Sequence, residues 1–209
     1  MVTVELTKAR LLEAAGEEFA ERGFTGARVR AICERAGANL AAVNYHFGGK
    51  EQLYLAVVME AHRSGVQNPP ERAVTTGTPA EQLRQYIHFF LSNVVAMNRQ
   101  KDGWQQVLML REMLQPTAAL ETLVQDAIRP RFERLKEILR QACPDADELR
   151  LSALGCSVVG QCLHYKFAAA VTERLLGADA FAALDLDYLS DHISRFCLAA
   201  LGLAPPFRG

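Results

Sequence analysis

The sequence predicts an all-α protein, with a small N-terminal helix-turn-helix domain followed by a larger helical body. Three observations carry that expectation. Apolar residues recur three and four positions apart along almost every segment, the period of a helical face. Gly23, Gly37 and the pair Gly48-Gly49 close short periodic runs near the N-terminus. Between the last two closures lies a short run ending in Tyr45-His46-Phe47, with too little apolar surface to hold itself as a helix. Neighbouring helices must hold it.

The elements follow in order. A first helix is predicted from about Glu5 to Arg22, with Leu11, Leu12, Ala15 and Phe19 on its apolar face. Gly23 ends it in a left-handed cap, and Phe24 folds back as an apolar plug. A second helix, about Val29 to Ala36, buries Val29, Ile32 and Cys33. Gly37 makes the tight turn, and Asn39 is placed to cap a third helix over residues 40 to 46. The fourth opens on Lys50 and runs to about Ser64. Phe19, Phe24, Val43, Phe47 and Leu53 are expected to be core residues. Residues 65 to 79 carry prolines, glycines and a threonine pair, and read as a linker. Beyond it a helix from about Pro79 to Asn98 turns Leu83, Ile87, Phe90, Leu91, Val94 and Val95 inward, and another covers about Trp104 to Leu114. Pro116 falls where a first-turn proline is tolerated. A long segment to about Cys143 is kinked or divided at Pro130, and two helices follow, about Asp145 to Leu176 and Asp185 to Leu203.

Composition narrows the function. The chain of 209 residues is half hydrophobic and carries a net charge of −1, so it is not a basic nucleic-acid sponge. The charge is uneven, however: Arg28, Arg30, Arg35 and Lys50 face only Glu34 between positions 28 and 50. A local positive face of that kind suits phosphate. Cys33, Cys143, Cys156, Cys162 and Cys197 are scattered, show no metal-type spacing, and are expected to be buried free thiols. The N-terminal stretch has no secretory apolar core and no run is long enough to span a bilayer, which leads us to expect a soluble cytoplasmic protein. No nucleophile elbow, zinc-protease helix or phosphate-cradling glycine loop is present. No enzyme, metal or cofactor is expected.

Two seams stand out in the last helices. Ala153, Cys156, Gly160, Leu163 and Phe167 alternate spacings of three and four, as do Leu189, Ile193, Phe196 and Ala200. Such seams pack helix on helix at shallow angles. They fit equally an intramolecular core and a two-fold interface between two copies.

The run from Val29 to Phe47 has the chemistry of a DNA reader. In a helix-turn-helix the second helix of the motif enters the major groove and the first crosses the backbone. Ala41 and Ala42 are small enough to let the helix sit deep, and an alanine methyl can touch that of thymine. Asn44 offers a donor and an acceptor to an adenine edge. Tyr45 and His46 can place polar tips on phosphates, Lys50 adds charge at a helix start, and Arg28 can reach phosphate or a base edge.

The ordered set LLEAAGEEFAERGF, VRAICERAGAN and VNYHFGGKEQLY resembles the DNA-binding domain of the TetR family of transcriptional regulators. GANLAAVNYHFGGKEQLYLAVV with REMLQP further on looks like its CecR-type branch. The resemblance implies a reader over residues 1–52 and a helical ligand-binding and dimerisation domain over 53–209. It places Tyr45, His46 and Lys50 at positions of backbone contact and 39 to 44, Asn39 included, in the base-reading stretch. Two departures are visible: the family often has tyrosine at the position of Asn44, and Ser or Thr as an N-cap where this chain has Arg28. It also implies a pocket for a small effector, for which Phe90, Met97, Trp104, Met109, Gln161, His164 and Tyr165 have suitable chemistry. The function expected is a ligand-responsive repressor that binds a palindromic operator as a homodimer and is released by a small molecule. The alternatives are a helical DNA-binding architectural protein without an effector and an all-helical enzyme.

Overall fold

The computed structural model describes residues 2–64, 76–99 and 103–205, and every regular element among them is helical. The linker expected at 65–79 lies mostly outside the described residues, as do the side chains of Val95 and Met97. Contacts group the helices into two compact units, residues 1–66 with 102–127 and residues 67–101 with 128–209. This division differs from a cut at 52/53.

In the first unit, α1 (Val2–Gly26) packs on α2 (Val29–Ala36), α4 (Lys50–Ser64) and α6 (Trp104–Leu114), while α3 (Leu40–Phe47) rests on α4, α2 and α1. Gly23 interrupts α1 with φ 68 and ψ 176, a positive φ combined with an extended ψ. The chain turns there, as expected, without a regular left-handed cap. Leu11, Phe19, Ile32, Val43 and Leu53 are fully buried. Phe24 and Phe47, expected in the core, are only half-buried. Phe24 meets the Tyr54 ring edge-on at 5.1 Å and carries Lys50 Nζ over its outer face at 5.0 Å. Gly16 is required for space: a Cβ there would fall inside the Trp104 indole.

Glu112, fully buried on α6, is the polar pin of this unit. It accepts from Tyr54 Oη at 2.6 Å, and from the Thr117 amide at 2.8 Å and hydroxyl at 2.9 Å. Burial, with Glu112 next in effect, pushes the Tyr54 phenol well above its ordinary range. Thr117 in turn caps α7 (Ala118–Leu123) by accepting from Ala119 N. Pro116 therefore lies just before that helix rather than in its first turn. A π-turn over Val124–Ile128 leads into α8 (Arg129–Ala142), with Pro130 in the first turn of α8. Pro130 has no N–H and its ring would clash with the carbonyl four residues back, so the turn widens ahead of it.

The second unit is built on an apolar core. From α5 (Pro79–Arg99) come Leu83, Ile87 and Leu91; from α8, Leu135, Ile138 and Leu139. α9 (Glu148–Phe167) and α12 (Leu186–Ala200) complete it with Leu151, Val158, Leu189 and Ile193. The single helix expected from about 145 to 176 is broken at Ala168, where α10 (Ala169–Leu176) begins. Thr172 Oγ1 donates to the Ala168 carbonyl at 2.9 Å. Threonine back-bonding of that kind bends helices. α11 (Ala178–Ala182) is a short turn before α12. Glu148 ties α9 to α8, receiving Lys136 Nζ and Arg140 Nη2 at 2.8 Å each. These two cations hold its carboxyl down at about 2. Cys33, Cys162 and Cys197 are buried free thiols, but Cys143 is half-buried and Cys156 is exposed. Burial pushes Cys162 up to about 12 and Cys197 to about 11, so neither is a thiolate nucleophile.

Candidate nucleic-acid interface

Two helices of eight residues each form the turn, and polar side chains from α1 secure them. Arg28 stands at the N-cap of α2 without a capping side chain of its own. Glu18, 2% exposed on α1, supplies the acceptor instead: its Oε1 takes the Arg28 amide at 3.3 Å. The same carboxylate pairs with Arg22 at 3.3 Å, while Arg35 pairs with Glu17 at 3.0 Å. At the far end of α2, Arg10 donates to the Ala36 carbonyl and, at 3.3 Å, to that of Gly37. Gly37 has φ 56, which a side chain disfavours. Asn39 then caps α3, its Oδ1 accepting from Ala42 N at 2.9 Å.

α3 is asymmetric. Val43 is fully buried and anchors it, while Leu40, Ala41, Asn44 and Tyr45 share the opposite, exposed face, with Tyr45 79% exposed. Ala42 and His46 are half-buried flanks, and the His46 ring meets Tyr45 edge-on at 5.1 Å. Leu40 was not singled out from sequence; a leucine at a helix start reads as core, yet it is 58% exposed. It adds an apolar surface of the kind that meets thymine methyls. Lys50 begins α4 with Nζ near the Thr25 carbonyl at 3.5 Å, so its charge lies beside the turn between α1 and α2. Arg28 and Arg30 are exposed and form no ion pair among the described residues. Arg35, by contrast, is committed to the glutamates of α1.

A family model described as the C-terminal domain of the HTH-type transcriptional dual regulator CecR matches residues 79–201, the larger part of the chain. A second, described as bacterial regulatory proteins of the tetR family, matches residues 11–57, the span of this interface. The chain is a TetR-family regulator of the CecR type. It is 29% identical over 180 residues to the transcriptional dual regulator CecR of Shigella flexneri, covering 78% of this chain and 76% of the relative. It is 31% identical over 83 residues to the repressor NicS of Pseudomonas putida, covering 40% of this chain and 39% of the relative. Among solved structures, the Hemolysin II transcriptional regulator HlyIIR aligns with a TM-score of 0.56 at 25% identity, over 86% of this chain and 97% of that one. A TetR-like regulator from Rhodococcus aligns with a TM-score of 0.56 over 94% and 96%, at 20% identity, a likeness of fold alone. These matches are to transcriptional regulators, not to enzymes. No described helix is long and apolar enough to cross a membrane.

The other expected sites divide. Trp104 and Met109 belong to the first unit and are buried core residues. Phe90, Gln161, His164 and Tyr165 belong to the second. Phe90 stacks on Tyr86 at 6.2 Å, Gln161 donates to Cys197 Sγ, and His164 Nε2 lies 3.2 Å from Thr172 Oγ1. Two described cavities, of about 470 Å³ and about 320 Å³, are lined by other residues. Met97 lies outside the described side chains. Of the seam residues, Ala153, Cys156, Gly160 and Phe167 on α9 and Phe196 and Ala200 on α12 are exposed, and Leu163 is half-buried. Leu189 and Ile193 are corrected to core: at 2% and 1% exposed they have no surface left for a partner.

Proposed function

We propose that this regulator represses transcription by inserting α3 into the major groove of a palindromic operator as a homodimer, and that a small molecule releases it in the cytoplasm. The observation that carries the reading is the face of Leu40, Ala41, Asn44 and Tyr45, exposed opposite the buried Val43. A helix anchored at one residue and bare on the other side suits base edges. Asn44 reads an adenine, Arg28, Tyr45, His46 and Lys50 hold phosphates, and Asn39 fixes the helix start. The exposed residues of α9 and α12, above all Phe167, Phe196 and the small Ala153, Cys156 and Gly160, offer the dimer surface. A two-fold dimer then spaces its α3 helices by about 34–36 Å, and an effector acts by favouring a different spacing.

Selection of bound duplexes from random DNA tests the reading. A palindromic consensus is expected, with Asn44→Ala changing preference among sequences. Lys50→Ala should weaken binding to every duplex and lower the salt slope by about 1.8, about 0.9 for each subunit of the dimer. Equal binding to consensus and scrambled duplex would overturn it. A second reading, a DNA-binding architectural protein without an effector, draws on Trp104 and Met109 being packed core. Operator release by a metabolite extract would exclude that reading.

A further inference from the structure

The α1–α2 turn and the C-terminal end of α6, both in the first unit, enclose a half-open cleft of about 320 Å³. Arg22, Thr25, Arg111, Gln115 and Thr117 line it. Two arginines line it and no carboxylate does. Glu112, the nearest candidate by sequence, is turned inward, with both oxygens taken by Tyr54 and Thr117. Arg111 forms no ion pair among the described residues. Its one hydrogen bond is from Nη2 to the Glu21 carbonyl at 3.4 Å, and its Nε is sealed from solvent with no acceptor.

An ion in the cleft cannot reach that sealed Nε; the donor Arg111 has to offer is Nη1, which has no hydrogen-bond partner among the described residues. Arg22 spends its Nε on Glu18, leaving its terminal nitrogens for another acceptor. The fork of a guanidinium matches two oxygens of one anion. The hydroxyl of Thr25 and the amide of Gln115 add neutral donors of the kind that surround such a group; the Thr117 hydroxyl is already given to Glu112.

We infer that this cleft binds a small oxyanion, a phosphate or carboxylate group, with Arg111 as the principal ligand and Arg22 at the rim. The site goes beyond the proposed operator reading and its central test needs no DNA. Two sources carry such a group, a free metabolite and the phosphate of a DNA backbone.

Calorimetric titration of the full-length chain with inorganic phosphate, at constant ionic strength in chloride, reads the site directly. Saturable one-to-one binding is expected, weakened about tenfold or more by Arg111→Met and unchanged by Arg84→Met, on the other described cavity. Should Arg111→Met fail to fold by circular dichroism, Arg22→Gln, which alters an exposed side chain, carries the same test with a smaller loss. No binding by the parent chain, or affinity in the Arg111 and Arg22 variants equal to the parent's, overturns the inference. The salt dependence of duplex binding then separates the sources. A slope lowered by about 1.8, about 0.9 for each subunit of the dimer, in Arg111→Met identifies a backbone phosphate, and an unchanged slope a free oxyanion.

Discussion

In the first unit, α2 and α3 have eight residues each and bury only Ile32, Cys33, Ala36 and Val43 between them. In the second, α5 and α9 run for 21 and 20 residues and share a continuous apolar core. The short pair is held by directed polar bonds, two from another helix, Glu18 to the Arg28 amide and Arg10 to the Ala36 carbonyl, and one local cap, Asn39 to Ala42. The long helices are held by area. α3 leaves one face bare, so its apolar support is confined to Val43. Bonds to the backbone hold α2 and the turn ahead of α3, and the Asn39 cap fixes the start of α3, while leaving that face empty.

The apolar core of the second unit gives the largest expected effect. Leu91→Ala in the second unit should cost about 2–5 kcal/mol, seen as a lower denaturation midpoint. Glu18→Ala, which leaves the Arg28 amide without its acceptor, should cost about 1–3 kcal/mol. Its larger consequence is expected in duplex affinity, because α2 positions α3. Glu18→Gln sharpens the point: if the retained oxygen restores most of the stability, the bond to the amide rather than the charge holds α2. Asn39→Ala should cost about 1 kcal/mol, again read by denaturation with duplex binding alongside.

The smallest effect concerns acid. Glu148 titrates at about 2, below its ordinary 4.5, because Lys136 and Arg140 favour the charged form. A depressed carboxyl stabilises the fold fully above its ordinary value and loses that contribution as pH falls towards the folded one. The α8–α9 clamp should therefore weaken between about pH 4.5 and pH 2, and Glu148→Gln should flatten the pH dependence of the denaturation midpoint there. An unaltered acid limb in that variant would assign the dependence to other carboxylates.

Much of the first unit is legible from sequence because glycines mark its ends. The limits of α2, α4 and α6 fall where the sequence predicts them, and Asn39 caps α3. What sequence does not disclose is which neighbour a residue meets. Periodicity marks Leu189, Ile193, Phe196 and Ala200 as one seam, yet the first two are core and the last two are exposed. Trp104 and Met109 read as pocket lining, although α6 packs on α1 and α4. The break at Ala168 has neither glycine nor proline to announce it, and the Thr172 hydroxyl bonds back to the carbonyl there. Glu18 and Arg10 look like ordinary helix-surface charges, since their partners lie in another helix.

The notch that Gly16 leaves in α1 ties two remote positions to one shared volume. A methyl added at 16 acts as a wedge under the indole, and a smaller ring at 104 leaves a hollow. Gly16→Ala and Trp104→Phe should therefore each harm the fold alone and partly repair one another together. Divergent descendants would have to trade bulk across this seat in step, so the identity of residue 16 constrains what the chain can become almost ninety positions later.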